Sequence, residues 1–156
     1  MKYAGAGSFQ RNRPLLSFAA GYAGRMADYS FRIATQDDIQ AITDIYNAAV
    51  IRGGSSADTT PRTYAQRKAW VESHHDPYAV FVTTVPATDA ATEGGERIIG
   101  FSALSVFYDR AGYDGVTDLA YYIAPEWQGR GAGTFTLAKL LDECRNRHMR
   151  KACGII

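Results

Sequence analysis

Residues Gln128-Gly129-Arg130-Gly131-Ala132-Gly133 put three glycines within five positions, between a strand-like segment and a helix-like one. Glycine reaches backbone angles that side chains forbid, so such a run turns sharply and aims successive N–H groups into one concavity. The helix behind it adds its unpaired first amides and the positive end of its dipole. Strand, glycine turn and helix in that order predict a cradle for phosphate, with Arg130 as a mobile positive charge. A tight turn without a ligand is the competing reading of the same glycines.

The flanking segments predict one α+β domain. Ser30-Phe31-Arg32-Ile33-Ala34 alternates as a short strand, and Thr35 caps a helix with Asp37 and Asp38 in its first turn. Ile39, Ile42, Ile45, Tyr46 and Ala49 form one apolar helical face that ends at Gly53-Gly54. A second helix is expected over 63–73, anchored by Trp70 and stopped by Asp76-Pro77. Segments 78–85 and 97–107 read as antiparallel strands around an exposed loop over 86–96, and 116–124 reads as a third long strand. After the glycine turn comes a helix over 134–147, with Leu137, Leu140, Leu141 and Cys144 on its core face. A last strand starts at Lys151. The order β-α-α-β-β-β-α-β implies mixed sheet pairing.

Charge and cysteine content narrow the function classes. Seventeen basic residues against sixteen acidic give a net charge of +1, which is no footprint for nucleic acid. No apolar run reaches the roughly 20 residues that cross a bilayer. Cys144 and Cys153 are too few for a disulfide framework and read as reduced thiols of a cytoplasmic protein. His74-His75-Asp76 is no metal motif, because adjacent side chains on a helix diverge; it reads as a solvent-exposed helix end. Lys2, Arg11, Arg13 and Arg25 meet no acid before Asp28, and without residues 1–25 the net charge becomes −3. That stretch is rich in Gly, Ala and Ser and lacks periodicity. Residues 1–28 are therefore expected to be a disordered extension, with a start placed too early, ahead of Met26, as one origin; a targeting peptide around Leu15–Ala20 is the alternative.

Two phosphate motifs fail against the glycine run. A Walker loop needs Gly-Lys-Ser/Thr after four variable residues, and none occurs. A dinucleotide fingerprint needs a small residue where Thr134 stands, inside a βαβ unit. What fits is Gln/Arg-x-x-Gly-x-Gly/Ala, following Tyr121-Tyr122-Ile123-Ala124-Pro125-Glu126-Trp127 and preceding an amphipathic helix. With Phe31-Arg32-Ile33-Ala34, Ile45-Tyr46-Asn47-Ala48-Ala49-Val50, Ala69-Trp70 and Tyr113-Asp114, residues 31–156 resemble the GNAT superfamily of N-acetyltransferases. Within it they are similar to the phosphinothricin and L-amino-acid N-acetyltransferase branch.

The resemblance implies a mixed, mostly antiparallel sheet flanked by helices, with residues 29–156 as the N-acetyltransferase domain. It implies acetyl-CoA as co-substrate, a small-molecule amine as acceptor and no metal, and it leaves a homodimer open. Backbone groups of Tyr121, Tyr122 and Ile123 would pair with the pantetheine arm. Gln128, Gly129, Arg130, Gly131, Ala132, Gly133 and Thr134 would hold the pyrophosphate. Asp118 stands where the branch carries a glutamate base; a solvated strand-edge residue is the other reading. Arg110 and Tyr113 match substrate-side positions, Arg110 being equally readable as a surface arginine. In the family, the strand starting at Lys151 runs on into an Asn-containing segment, a helix and two strands. The chain is therefore expected to be cut short. Three readings follow: an acetyltransferase weakened by truncation, a CoA-binding module completed by a partner, or a fragment without independent function.

Overall fold

The computed structural model describes residues 7–8, 28–87 and 95–154. Alternating and β-branched segments become strands: β1 (Gly7–Ser8), β2 (Ser30–Ile33), β3 (Ala79–Pro86), β4 (Glu96–Val106), β5 (Val116–Ile123) and β6 (Lys151–Cys153). The amphipathic segments become α1 (Ile39–Arg52), α2 (Tyr64–Glu72) and α3 (Ala132–Asn146). One sheet forms in the order β1-β6-β5-β4-β3-β2. Every neighbouring pair is antiparallel except β5 and β6, which run parallel. Parallel strands need a crossover, and α3 supplies it.

Alternation divides the sheet's side chains between two cores. On one face Val80, Val82, Phe101 and Ala103 pack with Ile42, Ile45, Tyr46 and Val50 of α1, and Trp70 of α2 leans on them. On the other face Phe81 and Leu104 pack with Leu140, Cys144 and Met149 at α3 and its end. The buried thiol of Cys144 has its pKa pushed up to about 11 by burial, so it is an inert filler of this core. Buried Thr136 of α3 shares a 2.7 Å hydrogen bond with Thr83 of β3, fixing the helix against the sheet.

Three boundaries differ from expectation. The third helix begins at Ala132 rather than Thr134, because Gly131, at φ 90°, turns the chain directly into it. Pro86 and Glu96 extend β3 and β4 as register partners instead of belonging to a loop; residues 88–94 lie outside the described set. The extension expected over 1–28 also lies outside it, apart from residues 7–8 and 28, and Gly7–Ser8 pairs with β6.

Asp38 does more than favour a helix dipole. It is buried, takes Arg32 in a two-pronged contact at 2.6 and 2.9 Å, and accepts from the Thr35 N–H at 2.6 Å. Burial pushes its pKa up, but Arg32 and Thr35 outweigh burial and hold the carboxyl below its ordinary value. Its folded pKa is thus depressed, so its contribution is present above the unfolded pKa and lost as pH falls through the folded one. Asp38→Ala leaves Arg32 its pair with Glu96 and some solvent, so the cost is expected to be that of the lost hydrogen bonds to a charged group, about 2 kcal/mol by urea denaturation. The deficit should shrink in acid, where the wild-type carboxylate is itself protonated.

Candidate active site

The glycine turn sits at the end of β5, held by side chains the sequence did not mark as struts. Gln128 donates through Nε2 to the Ile123 carbonyl at 2.9 Å, and its Oε1 accepts from Arg52 Nη1 at 2.8 Å. Its side chain is thereby spent on fixing the turn to β5 and α1. The Tyr29 hydroxyl donates to the Arg130 carbonyl at 2.8 Å. Gly129 and Gly131 have φ of 72° and 90°, and a Cβ on either would meet nothing within 4 Å. Backbone conformation, not crowding, demands glycine at both. The concavity in front of them is open.

The first intrahelical bond of α3 runs from Phe135 N–H to the Gly131 carbonyl at 3.0 Å, and Gly131 has no side chain to cap the turn. The amides of Ala132, Gly133 and Thr134 therefore lie ahead of the helical ladder, as free donors at its positive end. Gly133 lies under Tyr121, whose ring would sit 3.6 Å from an added Cβ. The Arg130 guanidinium lies 5.4 Å from the Trp127 ring centroid, and among the described residues no carboxylate pairs with it.

β5 offers a free edge beside this turn. Its pairing with β6 runs from Val116↔Lys151 to Asp118↔Cys153, and among the described residues nothing continues that ladder past Asp118. On the other side β5 pairs with β4 throughout. Ala124 N–H donates to Ile99 C=O at 2.8 Å, and alternation back along the antiparallel ladder turns the main-chain groups of Tyr122 toward β4 and those of Tyr121 and Ile123 toward the free edge. Of the three residues expected to pair with an extended ligand, Tyr121 keeps both outward main-chain groups and Ile123 its N–H, the Ile123 carbonyl already accepting from Gln128. Tyr122 does a different job: its ring stacks on Phe101 at 5.2 Å and meets Tyr46 edge-on at 5.2 Å.

Asp118 is half-buried near the start of this free span, on the face of the sheet that carries α1 and α2. Among the described residues no hydrogen bond or ion pair engages its carboxylate, and burial raises its pKa. A desolvated, unpartnered carboxylate is a better proton acceptor than one on an exposed strand edge. Arg110 and Tyr113 lie in the β4–β5 connection leading to it. Arg110 rests its guanidinium 5.4 Å from the Tyr108 ring, and Tyr113 packs on Phe107 and Tyr108 at 5.7 and 5.6 Å. Both are exposed. They share one end of β5 with Asp118, while the glycine turn occupies the other.

Sequence reading missed what α2 places opposite this face. Arg67 is buried, with its guanidinium 3.8 Å from the Tyr46 ring centroid and 4.7 Å from that of Trp70. His74 corrects an expectation. It follows the α2 C-cap, Ser73, but instead of pointing into solvent it is partly buried against Trp70, ring centroids 4.6 Å apart. Its spacing of four from Trp70 was the available signal. Among the described residues no three His, Cys, Asp or Glu side chains are grouped to hold a metal.

The chain matches the acetyltransferase (GNAT) family over residues 39–155, a stretch that includes α1, the free edge of β5 and the glycine turn. It belongs to that family. An N-acetyltransferase of Streptomyces griseus is 30% identical over 128 residues, which cover 81% of this chain and 64% of that protein. The phosphinothricin N-acetyltransferase of Streptomyces coelicolor is also 30% identical over 128 residues, covering 81% of this chain and 71% of its own length. Among solved structures, a GNAT superfamily phosphinothricin acetyltransferase from Sinorhizobium meliloti in complex with AcCoA superposes with a TM-score of 0.69 at 26% identity, over 82% of this chain and 65% of that one. The chain thus spans about two thirds of the length of these relatives. The expected GNAT fold, a mostly antiparallel sheet with helices on both faces, is the fold observed.

Proposed function

We propose that this GNAT domain transfers the acetyl group of acetyl-CoA to the amino group of a small, amino-acid-like acceptor. The observation that carries this reading is the unpartnered, half-buried Asp118 on the strand whose free edge leads into an uncapped helix N-terminus. The site suits a CoA thioester in three respects. The open space before Gly129 and Gly131 and the free amides of Ala132, Gly133 and Thr134 fit a pyrophosphate, and the outward main-chain groups of Tyr121 with the N–H of Ile123 fit an amide-bearing arm. When bound, acetyl-CoA supplies the activated acetyl group.

The protein's own residues would do the remainder. Asp118 takes a proton from the acceptor ammonium, directly or through one water, so that the nitrogen lone pair is free to attack. Its shorter side chain, compared with glutamate, favours the water. Arg110 holds the acceptor's carboxylate or phosphinate with its forked guanidinium, and Tyr113 stands beside it in the same connection. Relatives named for phosphinothricin and for L-methionine sulfone make those two compounds the first acceptors to try. Free thiol should be released from acetyl-CoA only when such an amine is present; equal release without an acceptor would reject the reading.

The cradle has its own test. Gly131→Val forces a β-branched residue to φ 90°, at a strain of at least the ~1–2 kcal/mol of the left-handed region, or moves the turn out of that region. Calorimetric titration with CoA is expected to show affinity reduced by about tenfold or more, the equivalent of about 1.4 kcal/mol. Undiminished affinity would separate the turn from the cofactor.

A further inference from the structure

We infer that His74, reaching Asp118 through the hydroxyl of Ser105, is a positioning residue that carries the proton away from the base; this rests on the assignment of Asp118 as proton acceptor. His74 Nε2 lies 2.9 Å from Ser105 Oγ, and His74 Nδ1 lies 2.8 Å from the Trp70 carbonyl. A carbonyl only accepts, so Nδ1 carries the proton in the neutral ring and Nε2 is the bare nitrogen that accepts from Ser105 Oγ–H. Ser105 is the cross-strand partner of Asp118, and side chains in such pairs share a face with Cβ atoms roughly 4.5–5.5 Å apart. Hydrogen bonds join Ser105, His74 and the Trp70 carbonyl, and Asp118 stands across the strand from Ser105, at a distance one water spans.

α2 builds this deliberately. Arg67, Trp70 and His74 are spaced by three and four, so they follow one another along the same side of the helix and its end. Trp70 packs on Phe101 at the centre of the sheet, and its edge-on contact with the imidazole holds the ring against Ser105. The titratable groups near His74 are its neighbour His75, whose charge lowers its pKa further after burial, Asp76, which pairs with Arg147, and Asp118 beyond Ser105. Burial thus moves the two ends toward each other: the acid is raised and the imidazole is lowered. A smaller gap between the two lowers the cost of passing a proton from one to the other.

The step balances without any further reactant. A water spanning the gap between the cross-strand neighbours takes the proton of protonated Asp118 and passes one to Ser105 Oγ as Ser105 gives its own to His74 Nε2. The carboxylate is restored, the hydroxyl is unchanged, and an imidazolium forms that donates from both nitrogens. The lowered pKa of His74 then sends the proton to bulk water. Ser105 alone could not serve, since a hydroxyl neither stores nor discharges a proton near neutral pH.

The decisive experiment follows His74 by ¹⁵N NMR through a pH titration, with His75 as internal control, and then measures turnover. Asp118→Asn is expected to lower the His74 midpoint and leave that of His75 in place, and the neutral His74 ring is expected to be protonated at Nδ1. An unmoved His74 midpoint would overturn the coupling whether or not the preparation turns over. In kinetics, His74→Gln and Ser105→Ala should each lose roughly tenfold in kcat, less than the base itself. KM for acetyl-CoA should hold, the pH–rate profile should shift, and imidazole added to His74→Ala should restore rate. Wild-type kcat and pH profile in His74→Gln, beside an inactive Asp118→Asn, would reject the relay alone. Full activity in Asp118→Asn would reject the base assignment and the relay together.

Discussion

Asp118→Asn is expected to lower kcat for acceptor acetylation by about 10²–10⁴, the range for a positioned general base, and to leave CoA affinity unchanged. The amide nearly matches the carboxylate in volume but cannot take the acceptor's proton. The groups assigned to CoA are main-chain groups of Tyr121 and Ile123 farther along β5 and the turn from Gly129 onward, none of which touches the Asp118 side chain, so they should not notice the exchange. The same substitution is expected to stabilise the fold. Burial raises the folded pKa of Asp118 above its ordinary value of 3.8, because the ionised form is desolvated without a partner. With a raised folded pKa, the favourable contribution is complete below the unfolded pKa and disappears as pH rises through the folded one. At neutral pH the wild type therefore carries a cost that Asn removes, and the two proteins should converge in acid. Thermal unfolding at pH 7 and near pH 3 will read this. A variant that loses turnover while melting higher cannot be dismissed as misfolded; one that melts lower at pH 7 would contradict the environment assigned to Asp118.

The second large effect is structural. Phe101→Ala should destabilise the domain by about 3–5 kcal/mol, the usual loss for deleting a buried aromatic ring. Phe101 is 1% exposed, stacks on Tyr122 and meets Tyr46 and Trp70 at 6.4 and 6.3 Å. It is the contact common to α1, α2, β4 and β5, and neither helix can collapse into the hole while both are held on the sheet. Domains of this size are stable by about 5–15 kcal/mol, so the loss is a large fraction of the total. The urea midpoint should fall with the slope unchanged. A loss under about 1 kcal/mol would mean that the cluster repacks and that the face carrying Asp118 is less rigid than its contacts imply.

Local signals carried most of the fold into the sequence. The i, i+3, i+4 pattern of α1, the cap Thr35, and the β-branched runs of β3 to β5 act within a few residues of themselves. Asp118 was singled out through the family resemblance, at the place where the branch carries a glutamate, and the strand that holds it forms where its β-branched run expects. His74 was not, because it lies beyond the end of α2 and is drawn inward by Trp70 and by Ser105, 31 residues away in the chain. Gln128 was legible as part of a ligand turn, but the partners that occupy its amide, Ile123 and Arg52, belong to β5 and the end of α1. Glu96 read as loop because nothing near it in sequence announces its pairing with Arg32, 64 residues earlier. Long-range polar contacts have no periodicity to betray them.

Acetyl transfer to an amine is tested most directly by where the acetyl group goes. Acetyl-CoA carrying an isotopic label in its acetyl group, incubated with the protein and methionine sulfone or phosphinothricin, should yield acceptor labelled on its amine, one equivalent for each CoA thiol freed. Label that stays on CoA, or that ends on the protein itself, for example on Cys153 beside Asp118, would contradict direct transfer to an amine.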